Sequence, residues 1–187
     1  MLTGTQLGPL NCINMTAPIV QIKAMTNWED LRRMRIRSIR LHPTLFSDSV
    51  ETAINFSTSY WKELAAGNGN KFFGLYHQER CVGYTGIVNL NSDSSMQTAL
   101  IGYTFIEPEY RGNGYVNLFF KARLKHAITN LNWKRVVTDH REGNEASQKA
   151  ILQHGFVFTE RALINWPDGS QGYELRYSLD LNTLRSR

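Results

Sequence analysis

Ile101-Gly102-Tyr103-Thr104-Phe105-Ile106-Glu107-Pro108-Glu109-Tyr110-Arg111-Gly112-Asn113-Gly114-Tyr115-Val116-Asn117-Leu118 is the stretch on which the reading of this chain turns. It starts as a run of β-formers, breaks at Pro108, passes through a turn with two glycines and enters a helical pattern. Strand, glycine turn and helix in that order aim unpaired backbone N–H groups at an anion. Glycine suits such a turn because φ > 0 costs it little and no Cβ stands between backbone and phosphate. The stretch reads as a pyrophosphate cradle, although a strand-to-helix loop that binds nothing has the same local pattern.

Three nucleotide-binding patterns compete for it. A Walker loop needs Gly-x-x-x-x-Gly-Lys-Ser/Thr, and no such run occurs. A dinucleotide fingerprint needs a third glycine at position 117, where Asn117 stands. The pattern that fits is Arg/Gln-x-x-Gly-x-Gly/Ala after a strand ending in hydrophobic-x-Pro. On Ile106 to Gly114 the segment resembles the acetyl-CoA-binding motif of the GNAT superfamily of N-acetyltransferases. Val116 departs from it, standing where the family prefers Gly or Ala.

Two further segments carry the resemblance. Leu41-His42-Pro43-Thr44-Leu45-Phe46-Ser47, followed by Tyr60-Trp61-Lys62-Glu63-Leu64, looks like a bacterial branch with a Pro-x-x-Phe turn and a tryptophan helix before the second strand. Asn144 followed by a short helix and Gly155-Phe156 resembles the superfamily's later motif. Ser147, Ala150, Ile151 and His154 form the apolar-side stripe of that helix, and Gly155 suits its C′ position. The resemblance covers about residues 17–181.

Bulk properties agree with one globular domain. The chain has 187 residues, 42% hydrophobic and 20% charged, enough to bury a core without staples. Two cysteines, Cys12 and Cys81, make neither a disulfide framework nor a zinc site, which points to a reducing, cytoplasmic setting. No apolar run approaches the ~20 residues of a membrane span. The formal charge of +5 favours an anionic ligand but is too dispersed for nucleic acid. Residues 1–16 lack periodicity and read as a loose tail, with Met15 a candidate start, ahead of a domain over 17–187.

Along that domain the pattern predicts a strand within 17–25 and a helix capped by Asn27 or Thr26. Trp28, Leu31, Met34, Ser38 and Leu41 form its buried side, and Arg35 snorkels from it or lines the cleft. One helix is expected over 49–66, capped near Ser47 or Asp48. A hairpin of 71–77 and 81–90 and a strand over 97–106 follow. A helix from about Gly114 to Leu131, with Lys121 and Lys125 on a polar strip, leads to a strand over 134–139. The helix after Asn144 and a final hairpin of 156–165 and 172–181 complete an α/β layout with a mixed sheet.

The resemblance implies a sheet splayed between its fourth and fifth strands, with acetyl-CoA in the V. It implies that N–H groups near Phe105 and Ile106 hold the pantetheine arm and polarise the thioester. Arg111, Gly112, Asn113, Gly114, Tyr115 and Val116 would grip the pyrophosphate, and Asn144 would bond the pantetheine side. The tyrosine that protonates the thiolate in many relatives falls on Ile151, and Leu100 to Ile106 lacks the acid some relatives carry. Relatives that acetylate protein N-termini place a glutamate where Asp139 stands, so Asp139 is the candidate base, unless it bonds loop amides at a strand end. Tyr103 is the fallback acid, and His140 faces the other side of its strand. The implied activity is acetyl transfer from acetyl-CoA to a primary amine of a small molecule or peptide. The competing reading is a non-catalytic acyl-CoA-binding sensor. Neither a metal, nucleic acid nor a membrane is expected. The acceptor pocket falls to the first two helices and the last hairpin, with Asp48, Glu51 and Glu63 as acids that attract a cationic amine.

Overall fold

Asn27 decides where the first helix begins. Its backbone is extended and its side-chain oxygen accepts from the Glu29 amide at 2.8 Å, satisfying a donor the first turn leaves open. We describe residues 19–67 and 69–186 from a computed structural model; the tail expected over 1–16, with Met15, lies outside them. Strand β1 covers Gln21–Ala24 and helix α1 Trp28–Leu41. Helix α1 stops at His42, ahead of Pro43, whose ring disfavours a helical residue before it.

Leu31, Met34 and Ser38 are buried as the periodicity predicts, but Leu41 is 42% exposed at the helix end. Arg35 does not snorkel. It is 5% exposed, bonds Asp48 at 2.5 Å, and lies over the rings of Phe46 (5.0 Å) and Tyr103 (4.9 Å). A guanidinium tolerates such burial when a carboxylate and aromatic faces replace its water.

The single helix expected over 49–66 is two, α2 (Val50–Asn55) and α3 (Thr58–Ala66). Ser49 caps the first through the Thr52 amide (3.0 Å), and Ser57 caps the second through Tyr60 (3.1 Å). The break at the extended Phe56 turns its ring onto Tyr60, 4.0 Å between centroids, and edge-on to Trp61. That aromatic packing outweighs one continuous helical ladder.

Strands β2 (Lys71–His77), β3 (Arg80–Asn89) and β4 (Thr98–Ile106) form a meander. Helix α4 (Val116–Thr129), β5 (Arg135–Arg141), α5 (Glu145–Gln153), the hairpin β6 (Val157–Asn165) and β7 (Gln171–Asp180), and a short α6 (Asn182–Arg185) follow. Helix α4 ends before Leu131, which is 75% exposed. Among the described residues the sheet order is β1-β2-β3-β4-β5-β7-β6, and only β4 and β5 run parallel.

One core packs α4 and α5 against the sheet around Ile87, Ile101, Phe120, Val136 and Ile151. A second packs α1 and α3 on the other face around Leu31, Met34, Trp61 and Phe72. Strand β3 is buried from Cys81 to Val88 because both faces are covered. No helix among the described residues is long and apolar enough to cross a membrane.

Two irregularities in β4 shape everything that follows. It pairs with β5 only from Thr98 to Leu100, against Arg135 to Val137, and then the strands part. This is the expected splay. A bulge also sets Tyr103 and Thr104 against Thr85 alone, with Tyr103 at φ 57°. The extra residue reverses the alternation. Ala99 and Ile101 face the α4 core, whereas Tyr103 and Phe105 pack into the α1/α3 core.

Candidate active site

The parted strands enclose a cavity of about 680 Å³. One wall is β4 from Gly102 to Ile106, and the other is β5 from Thr138 to Arg141. The cavity runs from the glycine turn, past the bulge, to the loop and helices that carry Arg35, Asp48 and Tyr60.

At its first end, a 3-10 turn over Pro108–Tyr110 brings the chain out of β4. Gly112 and Gly114 sit at φ 77° and 71°, where other residues are strained. Asn113 stiffens the turn by donating to the carbonyls of Tyr110 and Arg111, each at 3.1 Å. The amides of Gly112, Asn113, Gly114 and Val116 find no acceptor among the described residues. They precede a 14-residue helix whose N-cap, Tyr115, makes no side-chain capping bond to it. Positive helix-end potential and free donors thus coincide.

Arg111 is bound back to the protein rather than extended. Its Nε donates to Ile106 O (2.8 Å), its Nη2 meets His42 Nε2 (2.7 Å), and it lies over Phe105. Burial and this guanidinium push the His42 pKa down. Val116 is half-buried on the cavity wall, with its amide open. Lys121 and Lys125 are exposed, and neither joins that wall.

Midway, Phe105 pairs with Tyr84 of β3, and the Glu107 amide reaches back to Val82 O at 2.8 Å. Successive amides of a strand point to opposite edges, so the Ile106 N–H faces the open V. Glu107 itself is 2% exposed and forks onto Arg37, with one arm at 2.7 Å. Asn144 caps α5 by accepting from the Ser147 amide at 3.2 Å, and also lines the cavity. Ile151 is buried on the same wall and offers no proton.

The other end is acidic. Asp139 on β5 stands opposite Arg176 on β7, which stands opposite Glu160 on β6. Arg176 reaches Glu174 (3.3 Å), Asp139 (3.5 Å) and Glu160 (3.7 Å), one cation for three carboxylates. Burial pushes Asp139 up against the pull of Arg176; burial and then Asp139 push Glu174 up. Among the described residues no loop amide bonds Asp139. The Tyr103 hydroxyl is pushed up to about 12 by burial, despite Arg35, so it stays protonated at neutral pH. His140 is buried yet also lines the cavity, stacked 5.4 Å from Tyr177 and in contact with its hydroxyl at 3.3 Å.

Asp48 lines the cavity, but Glu51 and Glu63 are exposed away from its wall. Arg141 lines the cavity: it bonds Asp168 (2.7 Å), Ser170 (2.6 Å) and Thr44 O (3.0 Å), and lies over Trp166. The last hairpin is thereby tied to the loop after α1. Sequence reasoning missed Glu174, Arg176 and Arg123. The first two share one face of β7 by alternation, and Arg123 sits three and four residues beyond Phe120 and Phe119 on the buried side of α4.

Known proteins match this geometry in fold. An acetyltransferase of the GNAT family from Streptococcus pneumoniae aligns with a TM-score of 0.71 at 12% identity, over 87% of this chain and 99% of that one. The yncA structure from Salmonella typhimurium, with its cofactor acetyl-CoA, gives 0.72 at 16%, over 87% and 94%. Spermidine N-acetyltransferase from Vibrio cholerae, in complex with CoA and spermine, gives 0.64 at 14%, over 87% and 96%. No curated protein matches the sequence significantly. The family model for the acetyltransferase (GNAT) domain matches residues 19–157, and the chain belongs to that family.

Proposed function

We propose that this protein, through a domain spanning 17–187, moves an acetyl group from acetyl-CoA directly to a primary amine of a small molecule or peptide. The observation that carries the reading is the continuity of one cavity from the glycine turn after Arg111 to the carboxylates of Asp139 and Glu174. The residues fit the ligand: a Cβ built on Gly112 meets nothing within 4 Å, and one on Gly114 meets only Asn117, at 3.7 Å. Backbone can therefore approach a diphosphate closely there.

When bound, acetyl-CoA supplies an acyl carbon already activated as a thioester. Gly112, Asn113, Gly114, Tyr115 and Val116 present the N–H groups that hold the diphosphate, and Arg111 braces the turn. The Ile106 N–H, beside Phe105, serves as the donor toward a carbonyl oxygen in the V. The Asn144 side chain has its oxygen committed to α5, so its NH2 is the group available to the pantetheine arm. Asp139 takes the proton that an incoming ammonium must lose. Tyr103, protonated at neutral pH, is the second proton carrier at the bulge. Asp48 is already paired with Arg35, but Asp139 and Glu174 share one arginine with Glu160, an excess of acid that favours a cationic amine, and the spermine complex of the Vibrio cholerae protein supports that class.

The reaction is placed in the cytoplasm, where the free buried thiol of Cys81 is stable; no part is assigned to nucleic acid, a membrane or a metal. Ile151 favours a second reading, an acyl-CoA sensor without turnover. Thiol release from acetyl-CoA over a panel of amines separates the two: saturable binding with no release from any amine rejects the enzyme. Gly114→Val tests the cradle. A β-branched residue at φ 71° is strained by about 1–3 kcal/mol, so acetyl-CoA affinity should fall about tenfold or more by calorimetry. Unchanged affinity would remove the glycine turn from the binding site.

A further inference from the structure

We propose that Arg123 supplies the positive charge that stabilises the departing thiolate. The inference rests on the acetyl-transfer reading. Four arginines line the cavity: Arg35, Arg111, Arg123 and Arg141. Asp48 neutralises the first and Asp168 the last, while Arg111 stands exposed beside the glycine turn. Arg123 is different. It is 2% exposed, no carboxylate among the described residues pairs with it, and its Nη2 is buried without a hydrogen-bond partner.

Its other groups are placed with care. Nη1 donates to Thr104 Oγ1 (2.9 Å), which contacts Thr85 Oγ1 (2.9 Å), which in turn donates to Gly102 O (3.1 Å). The guanidinium lies 4.4 Å from the Phe120 ring centroid. Arg123 is thus anchored to the bulge, on the α4 side, opposite the face where Tyr103 and Asp48 meet an acceptor. Burial pushes its pKa down to about 9, which still leaves it cationic at neutral pH. An unpaired buried cation is costly unless a negative charge arrives.

Acetyl transfer creates one. A bond forms between the amine nitrogen and the acyl carbon, the carbon–sulfur bond breaks, and the electron pair remains on sulfur. The ammonium gives one proton to Asp139 before it attacks, and the second proton, which the nitrogen sheds as the amide forms, ends on the departed sulfur as coenzyme A leaves. A fixed cation in a water-poor site stabilises that sulfur anion without reorganising.

The test is the ultraviolet titration of the thiol of coenzyme A bound to the protein, with no acetyl transfer involved. In the wild type the bound thiol should titrate about one pH unit or more below free coenzyme A. Arg123→Met should return it to the free value, and Arg123→Lys should keep most of the shift. Affinity for coenzyme A lacking its sulfur should not change in either variant. A wild-type bound thiol that titrates at or above the free value overturns the proposal without any variant. So does an Arg123→Met protein with the wild-type thiol pKa, which would leave Arg123 as a prop for the bulge. Saturable binding with an unshifted thiol rejects only the role of Arg123, whereas no saturable binding of coenzyme A rejects the acetyl-transfer reading with it.

Discussion

Asp139→Asn is expected to lower turnover about 10²- to 10⁴-fold, the usual worth of a positioned general base. The substitution keeps the shape of the side chain and removes its ability to accept a proton. Asp139 retains 30% of its side-chain exposure and lies on the cavity wall. Burial holds its pKa above the ordinary 3.8, with Arg176 opposing. The base works ionised, so kcat/KM should fall as pH drops through that raised value. In the Asn variant this acidic limb should vanish.

Stability supplies a control with the opposite sense. A carboxylate whose folded pKa is raised stabilises the fold most when protonated, and that contribution is lost as pH rises through the folded value. At neutral pH the ionised Asp139 is therefore a small burden. The Asn variant should melt no lower than the wild type, because Arg176 keeps Glu174 and Glu160. Full turnover with an unchanged pH profile removes Asp139 from the chemistry. Low turnover with a lowered melting temperature points to structural damage instead.

Trp133→Ala should be the most damaging single truncation outside the cavity, costing about 3–5 kcal/mol. Trp133 is fully buried and donates its Nε1–H to Asn89 Oδ1 at 2.8 Å. It shares a cluster with Ile87, Ala99 and Val136, at the closed end of the V where β4 and β5 still pair. The next amide, Lys134 N, bonds Gln97 O at 2.7 Å just before that parallel segment. Loss of the indole should loosen the point from which both walls diverge. Chemical denaturation should show a lower midpoint, and acetyl-CoA should restore part of it by binding the folded state. A loss below about 1 kcal/mol, the usual cost of an ordinary substitution, contradicts this placement.

Legibility varied along the chain for physical reasons. The glycine turn, the Asn27 cap, the helix after Asn144 and the final hairpin were visible because each depends on residues a few positions apart. The break between α2 and α3 was hidden: Ser57 is a good cap, but the apolar pattern runs across it, and only the stacking of Phe56 on Tyr60 decides. For Arg35 the sequence offered a snorkelling or a cleft-lining arginine, and the second holds because Asp48 and the Tyr103 ring meet it on the cavity wall. Glu174 and Arg176 were unreadable as site residues. Their importance comes from β7 lying between β5 and β6, a pairing no local pattern encodes.

By itself, the sequence determined the order of the strands, the place of the glycine turn and the membership of the superfamily it resembles, since short-range dihedral and periodicity preferences govern these. The tertiary structure alone decided which charges meet. A one-residue bulge at Tyr103 and Thr104 swings Tyr103 to the α1/α3 face, and strand pairing surrounds Arg176 with three carboxylates. Among the described residues, burial leaves Arg123 without one. Ionisation depends on neighbours in space and on lost water, and neither is a property of a residue's place along the chain.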